Sequence, residues 1–261
     1  METVVVERTD GVVTITMNRP HRKNAVTRGM LEELRARFEE VERSVDDRVL
    51  VLTGAGGDFC SGADLTDADS PVQLARQDPT VTQMRRLGDV VLALHRVTKP
   101  TIAKVDGVAV GAGLSLALAC DLLVASDRAR FSLIFARRGL TLDGGSSWLL
   151  PRRVGAGRAK ELALFGDLFD AEKALSTGVA NRVVPAGELD ALCAGWAHRL
   201  AAGPTMALSM TKSLLDGAWS IGLAEALENE AHCQAVNFDG ADTAEAMRAF
   251  VEKRDARFVG R

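Results

Sequence analysis

The sequence predicts an α/β fold in which strands and helices alternate through the first two thirds of the chain and helices accumulate at its end. Two strand–helix–strand segments before residue 126 indicate crossovers between parallel strands. Six further helical patterns follow residue 149. The 261 residues are 47% hydrophobic and 26% charged, which is typical of a folded domain with a sizeable core.

The first predicted element is a hairpin, because two β-rich segments flank Asp10-Gly11, a dipeptide that suits positive φ. A helix follows Thr27, a suitable N-cap, and its apolar residues recur at helical spacing: Met30, Leu31, Leu34, Phe38 and Val41. Strands are predicted at residues 3–7, 12–17, 48–53, 101–105 and 121–125. Further helices are predicted at residues 81–96, 112–120, 158–165, 171–176, 188–200, 205–215, 223–236 and 243–254. Residues 65–80, rich in Asp, Ser and Pro, are expected to form a mobile loop.

Composition and charge exclude several classes of protein. The 32 Lys and Arg residues nearly balance 35 Asp and Glu residues, with a net charge of -3, so a nucleic-acid-binding face is not expected. Tyr is absent, which excludes a phenolic acid or base. Four scattered Cys residues form no zinc or disulfide pattern. The first residues do not have the pattern expected of a secretory signal, and the longest uncharged stretch is too short to predict a membrane span. We therefore expect a cytoplasmic protein.

Two segments of small residues, at 58–65 and 106–115, end predicted strands and indicate a backbone binding site. Gly62 and Gly111 permit a ligand to approach the main chain. The N–H groups of Ala63 and Ala112 could then donate to a developing negative charge, and Ala112 is favoured because it begins a helix. The alternative is that the glycines serve tight packing alone.

Other chemistry is not indicated by the sequence. It has no phosphate-loop, nucleophile-elbow or zinc-protease motif, and Leu116 stands where a dinucleotide fingerprint requires glycine. The acidic residues Asp64, Asp67 and Asp69 lack the Gly and Glu of a calcium loop. We therefore predict no metal site.

The order and spacing of four segments resemble the crotonase superfamily, the enoyl-CoA hydratase and isomerase fold, along nearly the whole chain. Asn18-Arg19-Pro20 with Asn24-Ala25 resembles an early N-R-P-x-x-x-N-A signature. Residues 59–65 and 105–121 resemble two oxyanion segments, and residues 250–261 resemble a basic C-terminal tail. The resemblance implies a spiral of ββα units with an acyl-CoA site in residues 1–195. It also implies a C-terminal helical trimerisation region in residues 196–261, giving a homotrimer or hexamer.

The resemblance also assigns roles to individual residues. Ala63 and Ala112 become the oxyanion donors that hold an acyl-thioester oxygen as an enolate. Substrate contacts are expected from the two turns and the acyl pocket, at Ser61, Gly62, Asp64, Gly111, Ser115, Phe135 and Trp148. Coenzyme A is expected near basic residues, at Arg22, Lys23 and Lys253, with Arg254 as an alternative to Lys253. Because coenzyme A is part of the substrate, no separate cofactor is expected.

The reaction type depends on which carboxylates are present. Hydratases of this family use two Glu residues, and this sequence has Ser115 and Phe135 at those positions. Asp143, within residues 139–152, resembles the P-D-x-G-G-[ST]-x-W-x-L-P-R segment of the phenylacetate-pathway isomerase branch, with Leu142 in place of proline. We therefore predict double-bond isomerisation, with Asp143 as a proton shuttle whose pKa is raised by burial. The alternatives are a hydratase, a non-catalytic acyl-CoA binding protein, and an Asp143 that only caps a helix.

Overall fold

The computed structural model describes residues 2–66 and 80–260 of the chain, and within them the strands form two sheets. The strands are β1 Val4–Thr9, β2 Val12–Met17, β3 Val49–Gly54, β4 Thr101–Val105, β5 Val108–Val110, β6 Leu122–Ser126, β7 Arg130–Ser132, β8 Phe169–Asp170 and β9 Arg182–Val184. The helices are α1 Arg28–Arg43, α2 Thr80–His95, α3 Ala112–Ala119, α4 Ser146–Val154, α5 Ala156–Phe165, α6 Ala171–Thr177, α7 Leu189–Ala201, α8 Thr205–Gly217, α9 Leu223–Phe238 and α10 Ala241–Glu252.

The larger sheet has the strand order β1-β2-β3-β4-β6-β9, and the smaller has the order β5-β7-β8. The predicted hairpin is confirmed, because β1 and β2 pair antiparallel from Val4 opposite Met17 to Thr9 opposite Val12. Both turn residues adopt positive φ, 50° at Asp10 and 77° at Gly11. This geometry explains the turn residues, since a two-residue hairpin loop of type I′ needs positive φ at both positions.

The two predicted crossovers are confirmed as well. β2, α1 and β3 form the first, and β4, α3 and β6 form the second, with parallel pairing in each case. Thr27 caps α1 by accepting a hydrogen bond of 3.3 Å from the Met30 N–H. The buried face of α1 carries Met30, Leu34, Phe38 and Val41.

Both faces of the larger sheet are buried, and β3 shows this by alternation. Leu50 and Leu52 join the core beneath α1, α2 and α3, whereas Val49 and Val51 pack with α7 on the other face. The predicted division between residues 195 and 196 therefore falls inside α7, whose buried residues extend from Leu189 to Ala201. The proposed trimerisation role of residues 196–261 stays a prediction.

Sequence patterns missed the shortest strands. β5, β7 and β9 have three residues each and β8 has two, too few for a periodic pattern. The expectation that the sheet ends within the first two thirds of the chain is therefore wrong, because β9 forms its edge. The predicted mobile loop falls mostly on residues 67–79, which lie outside the described residues, as do Asp67 and Asp69. In the part of the chain that is described, no helix is long and apolar enough to cross a membrane.

Candidate active site

The first small-residue turn follows β3 and leaves one N–H group available. The Val26 N–H donates to the Gly62 carbonyl at 2.8 Å, and the Asp64 N–H donates to the Val26 carbonyl at 2.9 Å. These bonds use the groups on either side of Ala63, whose own N–H finds no acceptor among the described residues. Asn24 holds the start of this turn in place, because its buried amide donates to the carbonyl oxygens of Ala55 and Asp58.

The second turn joins β5 to α3 and also leaves an N–H group available. Gly111 has φ 54° and ψ -122°, a conformation that non-glycine residues rarely adopt. Ala112 is the first residue of α3, so its N–H has no partner within the helix. The positive end of the helix dipole favours negative charge at this point.

Packing brings the two turns together. A β-carbon added at Gly62 would lie 2.9 Å from the Val110 carbonyl oxygen and 3.7 Å from the Ala112 nitrogen. A β-carbon at Gly113 would overlap the Cys60 carbonyl, and the Val110 N–H donates to that same carbonyl at 3.0 Å. The glycines therefore serve packing, and this packing brings the first turn, at Gly62, beside Ala112 of the second.

Asp64 lies next to this site but its carboxylate is turned into the protein. Arg19 donates to Asp64 at 2.9 Å and to the Ala25 carbonyl. Both Thr66 donors also reach the Asp64 carboxylate. Burial raises the pKa of Asp64, but the hydrogen bonds from Thr66 and Arg19 outweigh it and lower the pKa to about 2. The predicted substrate contact is therefore corrected, because this carboxylate holds the first turn in place.

Asp143 precedes α4, and its carboxylate is half-buried. Among the carboxylates of the described residues, it alone has a buried oxygen without a hydrogen-bond partner. That atom is Oδ1, and burial raises the pKa of Asp143 to about 6. The alternative role as a helix cap is wrong, because α4 begins at Ser146 and no side chain caps it. The carboxylate is therefore available for proton transfer near neutral pH.

The main chain of Asp143, in contrast, is firmly held. Its carbonyl accepts bonds from the Ser115 hydroxyl at 3.2 Å, the Ser146 hydroxyl at 2.8 Å and the Ser146 N–H at 3.1 Å. Ser115 also contacts the Gly111 carbonyl at 3.3 Å. The predicted substrate contact of Ser115 is corrected, because its buried hydroxyl is directed to main-chain oxygens. Sequence reasoning missed Ser146, the first residue of α4, because no local pattern marks the hydrogen bond from its hydroxyl to the Asp143 carbonyl.

The two predicted aromatic contacts have different outcomes. Phe135 is buried, and its Cζ lies 3.9 Å from the position of a β-carbon on Gly111, so it borders the second turn. Trp148 instead contacts the edge of His95 and the guanidinium of Arg152. It lines a cavity of about 570 Å³ at the carboxyl end of α3, away from the helix start that carries the N–H donor. Trp148 therefore lies in this cavity and not beside the two turns, and its predicted place in an acyl pocket stays a prediction.

The basic residues predicted near coenzyme A also have different surroundings: two lie at the first turn, and one is held in ion pairs. Ser61 ties the first turn to Arg22 and Lys23 by bonds of 3.3 and 3.0 Å to their carbonyls, so both lie at its edge. Arg254 forms ion pairs of 2.6 Å with Glu245 and Glu252, so its charge is already compensated.

The C-terminal tail is bound to Asp242, near the start of α10. The N–H groups of Val259 and Gly260 donate to Asp242 at 2.6 and 2.8 Å. Lys253 follows the last residue of α10, and its N–H donates to the Phe250 carbonyl at 3.3 Å. Its predicted contact with coenzyme A stays a prediction.

A parallel and antiparallel α/β sheet covered by helices in this way is the scaffold of a crotonase-fold protein. The chain belongs to the enoyl-CoA hydratase/isomerase family, whose family model matches residues 7–261. Members of this family act on acyl-CoA thioesters.

Named relatives support this assignment over the full length of the chain. The chain is 36% identical over 261 residues to the 1,2-epoxyphenylacetyl-CoA isomerase of Escherichia coli K12, with 100% of both chains covered. It is 36% identical to a "Probable enoyl-CoA hydratase" of Rhodobacter capsulatus, over 99% of this chain and 98% of the relative. The crystal structure of an enoyl-CoA hydratase from Bacillus anthracis matches with a TM-score of 0.93 at 28% identity, covering 100% of both chains. The predicted family and crotonase fold are confirmed.

Proposed function

We propose that the protein is an enoyl-CoA double-bond isomerase in which Asp143 carries a proton from one carbon to another. The observation that supports this most directly is the Asp143 carboxylate, with a buried, unpartnered oxygen and a pKa raised to about 6. Its main chain is tied through Ser115 to the peptide that carries the Ala112 N–H. Base and oxyanion donor therefore belong to one site.

The chemistry follows from these groups. The thioester oxygen accepts hydrogen bonds from the Ala63 and Ala112 N–H groups, each of which contributes about 3–4 kcal/mol to an enolate-like transition state. With a 3-enoyl thioester, the Asp143 carboxylate takes a proton from C2, and the electron pair spreads over a dienolate. Asp143, whose acidic hydrogen exchanges with solvent, then gives a proton to C4, which leaves the double bond between C2 and C3. The atoms balance without water.

Hydration is less well supported by this site. Neither Ser115 nor Phe135 supplies a carboxylate, and the Ser115 hydroxyl is engaged with two main-chain oxygens. The loss of a general acid or base costs roughly 10²–10⁴-fold in rate. Hydratase activity is nevertheless a direct alternative, because relatives of similar identity are named as hydratases.

The test is to incubate the purified protein in heavy water with 2-enoyl-, 3-enoyl- and 1,2-epoxyphenylacetyl-CoA, and to identify the products by mass and NMR spectroscopy. A moved double bond with deuterium gained and no added water is the expected result. Added water would return the protein to the hydratases. Tight binding without conversion would instead indicate an acyl-CoA binding protein, and turnover of the epoxide alone would indicate the reaction named for the relative from Escherichia coli.

The pH dependence of isomerisation should report Asp143 directly. Because burial raises its pKa to about 6, the carboxylate is the base form above that pH and is lost below it. We expect kcat/KM to fall by about tenfold per pH unit below pH 6 and to be level above it. A profile that stays level down to pH 5 would show that Asp143 is not the base.

We propose that coenzyme A enters with the substrate beside Arg22 and Lys23, and that no separate cofactor takes part. The Lys23 side chain is 62% exposed and only loosely paired with Asp58, at 3.8 Å, so it can turn towards a phosphate. Arg22 is exposed beside it. Both lie at the edge of the turn that carries Ala63.

We also propose that the chain assembles as a homotrimer or a hexamer through its last helices. Large apolar side chains are exposed along α8, α9 and α10: Leu215, Leu223, Leu227, Val236, Phe238, Met247, Phe250 and Val251. Exposed apolar patches of this kind mark interaction surfaces. Light scattering during size-exclusion chromatography should give three or six times the chain mass of 27.9 kDa. A mass of one chain at micromolar concentration would contradict this.

A further inference from the structure

We infer that Ser115 is a positioning residue that holds the general base and the second oxyanion donor in one fixed arrangement. The inference rests on the proposed function, and it concerns how the base and the oxyanion donor are held in position relative to each other. Ser115 is fully buried in α3, four residues after Gly111. Solvent therefore does not compete for the hydrogen bonds of its hydroxyl.

The first contact of Ser115 is with the peptide that provides the donor. The Ser115 N–H and hydroxyl lie 3.0 and 3.3 Å from the Gly111 carbonyl oxygen. In a trans peptide the carbonyl and the following N–H point in opposite directions. By holding the Gly111 oxygen on one side, Ser115 aims the Ala112 N–H at the other side, where the thioester oxygen binds.

The second contact of Ser115 is with the residue that provides the base. The same hydroxyl oxygen lies 3.2 Å from the Asp143 carbonyl oxygen. A β-carbon on Gly144 would lie only 2.8 Å from the Ser115 Cβ, so the Asp143 segment packs directly on α3. A hydroxyl has one hydrogen, and here it is shared between the two carbonyls.

This arrangement matters because Oδ1 of the Asp143 carboxylate finds no hydrogen-bond partner among the described residues. Its position depends on its backbone, which Ser115 and Ser146 hold by the same carbonyl oxygen. Only Ser115 also reaches the Gly111–Ala112 peptide. We therefore assign to Ser115 the link between base and oxyanion donor, and to Ser146 the support of the base alone.

The test compares kcat and KM of Ser115→Ala with Ser146→Ala and Thr53→Val. Thr53 provides a matched control, because its buried hydroxyl donates to the Lys104 carbonyl at 3.0 Å, a bond that joins β3 to β4 and includes no residue of either turn. We expect Ser115→Ala to lower kcat by roughly tenfold to a hundredfold with little change in KM, since small displacements of reacting groups carry costs of that order. Ser146→Ala should lower kcat less, and Thr53→Val should not change it.

A second substitution and a second readout make the test decisive. Ser115→Cys retains side-chain bulk but donates poorly, and it should show the same loss with unchanged thermal unfolding. Bound acetoacetyl-CoA reports the oxyanion donors without turnover, through the near-ultraviolet absorbance of its enolate. The enolate fraction should fall in both Ser115 variants. If kcat and the enolate fraction in both match Thr53→Val, the inference is overturned. If the wild type binds the enolate but moves no double bond, the proposed function fails while the role of Ser115 at the donor is still measured.

Discussion

Asp143→Asn is expected to abolish double-bond migration while acyl-CoA binding persists. An amide cannot accept the proton that a carboxylate accepts, whereas both N–H donors of the oxyanion site are main-chain groups that the substitution leaves in place. We expect kcat to fall by roughly 10²–10⁴-fold, towards the upper end because no second carboxylate shares the role, with a change of about twofold or less in the dissociation constant of a saturated acyl-CoA. Deuterium incorporation followed by mass spectrometry measures the first quantity, and calorimetry measures the second. An Asn variant that moves the double bond at the wild-type rate would exclude Asp143 from the mechanism.

The same substitution should stabilise the protein at pH 8. The folded state raises the pKa of Asp143 from 3.8 to about 6, so it binds this proton more tightly than the unfolded state does. Ionisation therefore opposes folding above pH 6, and this penalty disappears as the pH falls below 3.8. We expect a gain of about 1–2 kcal/mol in the free energy of unfolding, less than the full shift implies because the side chain is partly exposed.

Asp64→Asn is the matched control, with the opposite sign. Its folded pKa is lowered to about 2, so its carboxylate stabilises the folded state above pH 3.8, and this contribution is lost as the pH falls towards 2. Replacing it would leave the charge of Arg19 without its buried partner, at a cost of about 3 kcal/mol at pH 8. Urea unfolding of both variants at pH 8 measures the contrast, and a destabilised Asp143→Asn would contradict the idea that its burial is unfavourable.

Ala112→Pro is expected to have the second-largest effect on activity. Ala112 is the first residue of α3, a position where proline is compatible with a helix because the N–H has no helical partner. The substitution removes the donor and places ring carbon where the thioester oxygen would bind. Loss of one oxyanion donor costs roughly 10²–10³-fold in kcat, and we expect at least this loss.

Ala112→Gly controls for this substitution, because it keeps the N–H group while removing the β-carbon. It should retain activity within about fivefold, since glycine near a helix start costs little stability. Circular dichroism and thermal unfolding should show both variants folded. Comparable activity in Ala112→Pro and Ala112→Gly would mean that this N–H does not hold the reacting oxygen.

Local sequence patterns were sufficient to predict the elements that are long or that a characteristic turn delimits. The hairpin at Asp10-Gly11 and the amphipathic face of α1 are encoded within a few residues of one another, so period and turn chemistry predict them. Strands of two or three residues, such as β8 and β9, form because neighbouring strands present hydrogen-bonding groups. No local sequence pattern predicts these short strands.

For the site, the sequence by itself determined the chemical groups: two glycine turns with N–H donors at Ala63 and Ala112, one carboxylate at Asp143, and no glutamate at positions 115 and 135. The tertiary structure alone decided which groups are free to act. The charge of the Asp64 carboxylate is compensated by Arg19, and the Ser115 hydroxyl is directed to main-chain oxygens. The physical reason is that availability depends on burial and on partners far away in the chain, and packing sets both.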